Sequence, residues 1–374
     1  MLYLLLEWIN QTYDPPGFGV FRYITVRSGA AAITALLLSF WIGPKIIRLL
    51  RDRQIGEAAK VEAPKTHLTK AGTPTMGGII VLLSIVVPSL LWNDITNPYI
   101  IMMLIVTVAL GAVGFLDDFL KVVKKKPKGL IGRYKIVGQV VVGTLIGGTM
   151  FFVPEWFGDE IIAISSSTTV PFIKNLEFDF GLLYIPMVVF VITATSNAVN
   201  LTDGLDGLAI GTVGIVSVTL AIIAYITGNI ELSEYLTIPY QRGSGELAIF
   251  CVAMAGAAIG FLWFNSYPAQ IFMGDTGSLA LGGIIGAMCV LLKKELLLPT
   301  LGGVFLVETL SVIIQRMYFK YTKRKYGEGR RVFKMAPLHH HFELLGWPEP
   351  KIVTRFYIIA ILLMIISLAT FKVR

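Results

Sequence analysis

About ten long apolar runs, separated by short polar segments, dominate the pattern of this 374-residue chain. A helix needs about 20 apolar residues to cross roughly 30 Å of hydrocarbon, and each run meets or approaches that length. The runs do not alternate in polarity as barrel strands would, so they favour helices. We therefore predict a single all-α polytopic membrane domain over residues 1–374, with about ten transmembrane helices. The runs centre on residues 24–44, 77–92, 99–116, 136–153, 181–196, 208–227, 247–264, 277–292, 298–319 and 352–371.

The charged residues lie mainly between the apolar runs. They make up only 15% of the chain, against about 25% in soluble domains. Three polar segments hold 22 of the 32 Lys and Arg residues, and the positive-inside rule places these segments in the cytoplasm. Because this rule already explains the net charge of +8, we predict no nucleic-acid partner. The predicted cytoplasmic loops are about 45–76, 117–135, 195–207, 265–276 and 320–351. The predicted extracytoplasmic segments are about 154–180 and 228–246, and EFDFGLLYI in the first favours a short hairpin.

Five aspartates stand at the ends of apolar runs, and the predicted topology puts all of them at the cytoplasmic face. They are Asp117, Asp118, Asp203, Asp206 and Asp275. A charge held at bilayer depth costs about 2.5–3.5 kcal/mol on insertion scales, so such groups normally face a cavity and serve a transport pathway or a reaction. The pattern therefore predicts a metal and phosphate site in a cytoplasmic cleft, in a membrane enzyme or a transporter.

The adjacent aspartates in GFLDDFLKVVKKKPKG form the first motif. On a helix Asp117 and Asp118 point about 100° apart, so they are poorly placed to chelate one ion as a pair. One can approach a metal or substrate while the other pairs with a lysine, and Lys121 follows one turn after Asp118. A charge pair at a helix end without further function is the alternative interpretation.

Two polar loops supply further candidate ligands. In NAVNLTDGLDGLA, Asn200, Asp203 and Asp206 recur every three residues, so a helical turn or a tight loop could aim them at one place. A polar hairpin without further function is the alternative interpretation. It would explain the glycines of this loop but not the three-residue spacing of the amide and carboxylate groups. In FNSYPAQIFMGDTGS, Asp275 and Thr276 stand at the head of the next span, where helix N-terminal amides attract phosphate. Mg²⁺ is commonly held by one or two carboxylates plus substrate phosphates, so it would suit this loop.

Histidines, a lysine and a glutamate complete the candidates. Neighbouring residues point in different directions on a helix or a strand, so the whole triplet His339, His340 and His341 is not predicted to ligate one ion. Near a phosphate, histidine can instead offer a hydrogen bond or a charge. Lys70 in HLTKAGTPTMGG could reach a phosphate or a base carbonyl. We interpret Glu308, which lies mid-span, as a polar partner inside the bundle, because no second carboxylate lies at similar depth.

At these motifs the chain resembles the polyprenyl-phosphate N-acetylhexosamine-1-phosphate transferases, in particular their phospho-N-acetylmuramoyl-pentapeptide transferase branch. The resemblance covers nearly the whole chain, and GTPTMGG, GFLDD, NAVNLTDGLDGLA, FLWFNSYPAQIFMGDTGS and APLHHHFE follow that family's order. The triple-histidine segment is the feature that resembles the phospho-N-acetylmuramoyl-pentapeptide transferase branch in particular. The resemblance implies a Mg²⁺-dependent, multi-pass enzyme of the bacterial inner membrane. It would transfer phospho-N-acetylmuramoyl-pentapeptide from its UDP derivative to undecaprenyl phosphate, giving UMP and lipid I, a precursor of peptidoglycan.

The same resemblance implies roles for individual residues. Asp275 would ligate Mg²⁺, Phe272 would stack on uracil, and the histidines would contact the sugar-phosphate side of the donor. The implied catalytic residues are Asp117, Asp118, Asp275 and His339. The implied substrate-binding residues are Lys70, Lys121, Lys135, Asn200, Asp203, Asp206, Asn265, Phe272, Gly274, Gln315, His340 and His341.

Two mechanisms and two other functions stay open at this point. Either the acceptor phosphate attacks directly, with Asp117 orienting it or removing a residual proton, or an aspartate forms a covalent phosphoryl-enzyme. A phosphate monoester is mostly dianionic at neutral pH, which favours direct attack. A transferase for another UDP-N-acetylhexosamine is the nearer alternative function. An ion-coupled transporter is the more distant one, because the halves show no convincing repeat. The resemblance also suggests a homodimer in membrane lipid.

Overall fold

The computed structural model describes residues 1–53, 72–126, 129–173 and 176–372. These residues form α-helices and one two-stranded antiparallel sheet. In chain order the elements are α1 (Leu2–Tyr13), α2 (Ile24–Asp52), α3 (Gly78–Trp92), α4 (Pro98–Val122), α5 (Gly132–Phe152), α6 (Asp159–Ile162), β1 (Ser167–Thr169), β2 (Glu177–Asp179), α7 (Tyr184–Thr202), α8 (Leu208–Thr227), α9 (Ile230–Leu236), α10 (Glu246–Asn265), α11 (Gly274–Leu291), α12 (Leu298–Leu301), α13 (Gly303–Tyr326), α14 (Leu338–Glu343) and α15 (Glu349–Ala369).

The helices coincide with the apolar runs of the sequence. Among the described residues, 8 helices are long and apolar enough to cross a membrane, namely α2, α4, α5, α7, α8, α10, α11 and α15. The two remaining runs form the shorter apolar helix α3 and a bent pair, in which 83° separates the segment Glu295–Leu301 from α13. The prediction of an all-α polytopic membrane protein with about ten spans is confirmed.

Helices α10 and α11 form the centre of the bundle and are the most buried of the spanning helices. Helix α11 packs against α4 and α7, and α10 packs against α2 and α8. A Cβ added at Gly282 of α11 would lie 2.3 Å from the carbonyl oxygen of Thr195, so these two helices touch through their backbones. Such close approach of small residues stabilises helix pairs in lipid. The close contact also holds α11 in position against α7. The predicted site lies at the start of α11.

The far end of α11 lies next to the segment predicted to be extracytoplasmic. The hairpin predicted in segment 154–180 is present, with β1 antiparallel to β2. Next to it Lys293 is buried, and its Nζ donates to the carbonyl oxygen of Ser165 at 2.6 Å and to the hydroxyl of Tyr184 at 2.8 Å. Burial lowers the pKa of Lys293 to about 8, because the charged ammonium loses hydration. These hydrogen bonds fasten the hairpin segment to the bundle.

Candidate active site

The beginning of α11 meets the end of α4 at one end of the bundle. Oδ2 of Asp118 accepts hydrogen bonds from the backbone N–H of Thr276 at 2.8 Å and from its hydroxyl at 2.6 Å. Oδ1 of Asp118 accepts the N–H of Asp275 at 3.2 Å. We expected the first amides of α11 to attract a substrate phosphate. That expectation is not met for these two amides, because a carboxylate of the neighbouring helix already satisfies them.

Glycines allow the helices to come this close. A Cβ at Gly114 of α4 would lie 2.2 Å from the carbonyl oxygen of Asp275, and one at Gly78 of α3 would lie 2.1 Å from the backbone nitrogen of Gly277. Gly274 has φ +74°, and its Cβ would lie 2.7 Å from Oδ2 of Asp118. A left-handed backbone and the lack of space both favour glycine there. Gly274, expected to bind substrate, thus has a structural role as well.

We expect Gly114→Ala to displace the start of α11 and thereby impair transfer. The added methyl overpacks the contact between α4 and α11, which typically costs about 1–3 kcal/mol, and a displacement of about 1 Å at a reacting group can cost about a hundredfold in rate. Thermal unfolding and product release by the purified variant would measure both effects. Gly148→Ala on α5 is the matched control, because a Cβ there has nothing within 4 Å. Normal turnover by Gly114→Ala would contradict the proposed importance of this contact.

Two carboxylates and two lysines form the centre of the site. Nζ of Lys121, one turn after Asp117 on α4, lies 2.5 Å from Oδ2 of Asp117 and 3.1 Å from Oδ2 of Asp275. Nζ of Lys135, from the first turn of α5, lies 2.9 Å and 2.5 Å from the same two oxygens. The other oxygen of Asp117 accepts the N–H of Leu130 at 2.7 Å. Two positive and two negative groups therefore balance one another in a half-buried place.

Three carboxylates of this site lie close enough to share a metal ion. Asp117, Asp118 and Asp275 each offer one oxygen, and these oxygens lie within 4.8 Å of one another. Asp117 and Asp118 have different hydrogen-bond and ion-pair partners, yet each brings one oxygen into this group, so the expectation that adjacent aspartates are poorly placed to share an ion is not met. Carboxylate oxygens are the ligands that Mg²⁺ takes, so these donors fit a hard divalent cation. The lysines and a cation would share the same carboxylates.

Asn200 connects α7 to this centre. Its Nδ2 donates to Oδ1 of Asp275 at 2.9 Å and to the hydroxyl of Ser278 at 2.8 Å. One turn earlier, Ser196 donates to the carbonyl oxygen of Leu279 at 2.8 Å and accepts a hydrogen bond from Gln139. The amide of Asn200 thus holds the Asp275 carboxylate in place. The sequence register pointed to Asn200 but gave no sign of the supporting contacts.

Asp206 of the NAVNLTDGLDGLA motif has a different partner from Asn200. Asp203 is the C-cap that follows the last residue of α7, and Oδ2 of Asp206 accepts the N–H of Ala269 at 3.0 Å. Asn265 lies nearby: its Oδ1 accepts the N–H of Gly207 at 3.1 Å, and its Nδ2 donates to the carbonyl oxygen of Ile271 at 2.8 Å. Asn200 thus contacts Asp275, whereas Asp206 contacts Ala269. Asp206 and Asn265 join the two polar loops to each other.

The loop before α11 is held by the end of the GTPTMGG motif. The N–H of Phe272 donates to the carbonyl oxygen of Pro74 at 2.8 Å, and the carbonyl oxygen of Phe272 accepts the N–H of Gly77 at 2.8 Å. The side chain of Phe272 is half-buried, two residues before Gly274. These contacts hold the backbone of Phe272 next to the start of α11. The prediction for Lys70 lies outside the described residues.

The histidine triplet lies within α14, directly after its first residue Leu338, and its three rings have different partners. Nδ1 of His339 lies 3.1 Å from the carboxylate of Glu308, and Nδ1 of His340 lies 2.6 Å from Glu343. Nδ1 of His341 accepts the N–H of Lys334 at 3.1 Å. The Nδ1 atoms thus have three different partners, although the rings of His339 and His340 lie edge to face with their centroids 4.2 Å apart.

Gln315 also has structural partners. Its Oε1 accepts the N–H groups of Val332 and Phe333 at 3.0 Å each, and its Nε2 donates to the carbonyl oxygen of Phe333 at 3.0 Å. Gln315 therefore holds the segment that leads to the histidines. These hydrogen bonds of the Gln315 amide go to Val332 and Phe333 rather than to the aspartate centre.

A bundle of membrane-length helices with an acidic and basic centre at one end defines a class of polytopic membrane enzyme that acts on phosphate compounds. Residues 100–293 match the family described as glycosyl transferase family 4, and residues 70–82 match signature 1 of the phospho-N-acetylmuramoyl-pentapeptide-transferases. The first match covers α4 to α11, which contain all three aspartates of the centre.

Comparison with known proteins places the chain more narrowly. Proteins named phospho-N-acetylmuramoyl-pentapeptide-transferase from Chloroherpeton thalassium, Chlorobium phaeobacteroides strain DSM 266 and Chlorobaculum parvum are 56%, 52% and 50% identical to it. Each alignment covers 100% of both chains. The chain belongs to the phospho-N-acetylmuramoyl-pentapeptide-transferase family. This confirms the resemblance seen at the motifs, and with it the expectation of a transferase.

Proposed function

We propose that the protein transfers phospho-N-acetylmuramoyl-pentapeptide from its UDP derivative to undecaprenyl phosphate, giving lipid I and UMP. The observation that carries this proposal is the group formed by Asp117, Asp275, Lys121 and Lys135 at one end of the spanning helices. A site at the membrane face can receive a water-soluble nucleotide from one side and a lipid acceptor from the other. Phosphoryl transfer needs positioning and charge neutralisation more than covalent chemistry, and these residues supply both.

The bound metal is proposed to be Mg²⁺. Asp275 would be its main ligand, with Asp117 and Asp118 close enough to contribute. When bound, Mg²⁺ would neutralise negative charge on the diphosphate of the donor. Lys121 and Lys135 would also neutralise negative charge on the donor diphosphate. Each lysine already lies against a carboxylate that faces the site.

The placement of the charged side chains supports direct transfer. An oxygen of undecaprenyl phosphate forms a bond to the β-phosphorus of the donor, and the bond between that phosphorus and the bridging oxygen breaks. The electron pair leaves with UMP. Lys121 and Lys135 lie where they can pair with phosphate oxygens throughout, while Asp117, held between them, orients the acceptor. Asn200 keeps Asp275 in position.

The cellular setting is proposed from the charge pattern. The basic loops and the aspartate centre would face the cytoplasm of a bacterium, and the spans would lie in the inner membrane. UDP-sugars are made in the cytoplasm, so this orientation brings donor and site together. The suggested homodimer stays a proposal as well.

The substrate is tested with purified protein in detergent. Release of UMP from UDP-N-acetylmuramoyl-pentapeptide should require undecaprenyl phosphate and Mg²⁺ and should yield a lipid-linked diphosphate sugar. UDP-N-acetylglucosamine in place of the donor distinguishes a transferase for another N-acetylhexosamine. Faster turnover of that nucleotide sugar would overturn the proposed donor. Turnover in detergent, without a sealed membrane, would also set the transporter aside.

Phe272→Ala should weaken the binding of uridine nucleotides. Loss of an aromatic plate under a base typically costs about 1–3 kcal/mol of binding free energy. Calorimetry with UMP alone would measure this, because UMP carries the base but neither sugar nor peptide. Phe152→Ala, at the far end of α5, is the control and should bind UMP normally. Unchanged affinity of Phe272→Ala for UMP would remove this ring from the nucleotide pocket.

A further inference from the structure

Gln139 is a polar side chain buried inside the bundle, where α5 meets α7. Its Nε2 donates to the hydroxyl of Ser196 at 2.9 Å, and its Oε1 accepts a hydrogen bond from Nδ2 of Asn197 at 2.9 Å. The hydroxyl of Ser196 in turn donates to the carbonyl oxygen of Leu279 at 2.8 Å. One amide therefore joins α5 to two neighbouring residues of α7 and, through Ser196, to α11.

These contacts lie one helical turn deeper in the bundle than the reaction centre. Each of the three helices carries a site residue and, four positions away, a residue of the buried contact. The pairs, site residue first, are Lys135 and Gln139 on α5, Asn200 and Ser196 on α7, and Asp275 and Leu279 on α11. Residues four apart are neighbours on one face of a helix. The buried contact is therefore placed to set where Lys135 stands relative to Asp275.

Other contacts between α5 and α7 are made through small residues. A Cβ added at Gly143 would lie 2.8 Å from Cα of Val189, and one at Gly147 would lie 3.1 Å from Cβ of Val188. Such close packing holds helices together in lipid. Hydrogen bonds depend on direction as well as distance, so they also resist rotation and sliding of one helix along another. The hydrogen bonds of Gln139 thus fix the end of α5 that carries Lys135.

The position of Lys135 matters because its ammonium group lies between two carboxylates. Nζ is 2.9 Å from Oδ2 of Asp117 on α4 and 2.5 Å from Oδ2 of Asp275 on α11. Lys135 belongs to α5, so this bridge depends on how a third helix meets the other two. A displacement of about 1 Å at a reacting group can cost about a hundredfold in rate. A residue that fixes α5 therefore affects the reaction without touching substrate.

We propose that Gln139 is a positioning residue for the transfer reaction: it holds α5 against α7 so that Lys135 bridges Asp117 and Asp275. The proposal rests on the proposed function, because Lys135 is assigned to that reaction. Gln139 itself touches no substrate and acts through Lys135. A purely structural role, in which the amide only satisfies polar groups inside the bundle, is the competing explanation.

The first experiment measures kcat of Gln139→Met in the full-length protein. Methionine keeps the length of the side chain but loses both hydrogen bonds. We expect kcat to fall by about tenfold to a hundredfold, because Lys135 is displaced. Ser84→Ala is the matched control and should keep normal kcat, since it removes a buried hydrogen bond between α3 and Ser39 of α2. Normal kcat in Gln139→Met would overturn the proposal.

A second measurement follows the position of Lys135 without turnover. Its side chain is 18% exposed and that of Lys121 is 36% exposed, and both lysines pair with the same two carboxylates. Trace acetylation with acetic anhydride, followed by peptide mass spectrometry, gives the ratio of labelling at Lys135 to labelling at Lys121. Release of Nζ from the carboxylates would expose the amine of Lys135 to the reagent. The ratio should therefore rise several-fold in Gln139→Met and stay unchanged in Ser84→Ala.

The labelling ratio separates positioning from a structural role. A structural role predicts a lower melting temperature with an unchanged ratio, and that result would overturn the proposal. An equal rise in Ser84→Ala would also overturn it, because any loosening of the bundle would then have the same effect. If Gln139→Met does not fold, Ser196→Ala replaces it: this variant removes the hydroxyl to which Gln139 donates, and it should lower kcat and raise the ratio. Failure of the wild-type enzyme to release UMP would instead count against the proposed function.

Discussion

Replacing Asp275 by asparagine should abolish transfer while leaving the protein folded. Oδ2 of Asp275 is shared by Lys121 and Lys135, and its Oδ1 accepts from Asn200. An amide would remove one of the two negative charges that balance the lysines and would ligate Mg²⁺ poorly. Loss of a group that stabilises transition-state charge costs about a hundredfold to a thousandfold, and loss of metal binding adds to this.

The assay is UMP release over a range of Mg²⁺ concentrations, with thermal unfolding as the check on folding. Asp159→Asn is the control, because it removes an exposed carboxylate at the opposite end of the bundle, in the first turn of α6. Turnover by Asp275→Asn close to the wild-type rate at limiting Mg²⁺ would disprove the assignment of Asp275 as the metal ligand. Loss of activity in the control would show that the assay reports general damage.

The spans were predictable because hydrocarbon thickness dictates length and apolar composition whatever the neighbouring helices are. All ten runs became helices or, in one case, a bent helical pair. That Asp117, Asp118 and Asp275 would need a cavity or partners was predictable, because they are charged groups at the ends of spans. The hydrogen-bond and ion-pair partners of these residues were not predictable. Those partners depend on which helix ends meet in the folded bundle.

Asp118 illustrates what the sequence left open. Its neighbour Asp117 pairs with lysines of α4 and α5, as the spacing suggested for one of the two. Asp118 instead accepts from the first amides of α11, and this contact requires Gly114 and Gly274 to be small. No local pattern reveals that a residue near position 118 will meet one near position 275. The buried Lys293 at the other end was missed for the same reason.

The contacts of Asp117 bear directly on the choice between the two mechanisms. A nucleophilic carboxylate needs a free lone pair directed at phosphorus. Oδ1 of Asp117 accepts the N–H of Leu130, and Oδ2 lies between Lys121 and Lys135. Two ammonium groups lower the electron density on that oxygen and so weaken it as a nucleophile. The same contacts suit a residue that orients an anionic acceptor through the lysines, which favours direct attack.

Asp117→Asn should therefore slow transfer about a hundredfold, the typical cost of misplacing a reactant by about 1 Å, without changing the kinetic sequence. Part of the rate should return as the pH rises through the second pKa of the acceptor phosphate, near 6, because the dianion needs no base. Wild-type enzyme given donor but no lipid should release no burst of UMP. Rapid-quench assays of UMP and intact-protein mass spectrometry measure this. A burst of about one UMP per site, with an adduct on Asp117, Asp118 or Asp275, would establish a covalent intermediate and overturn direct attack.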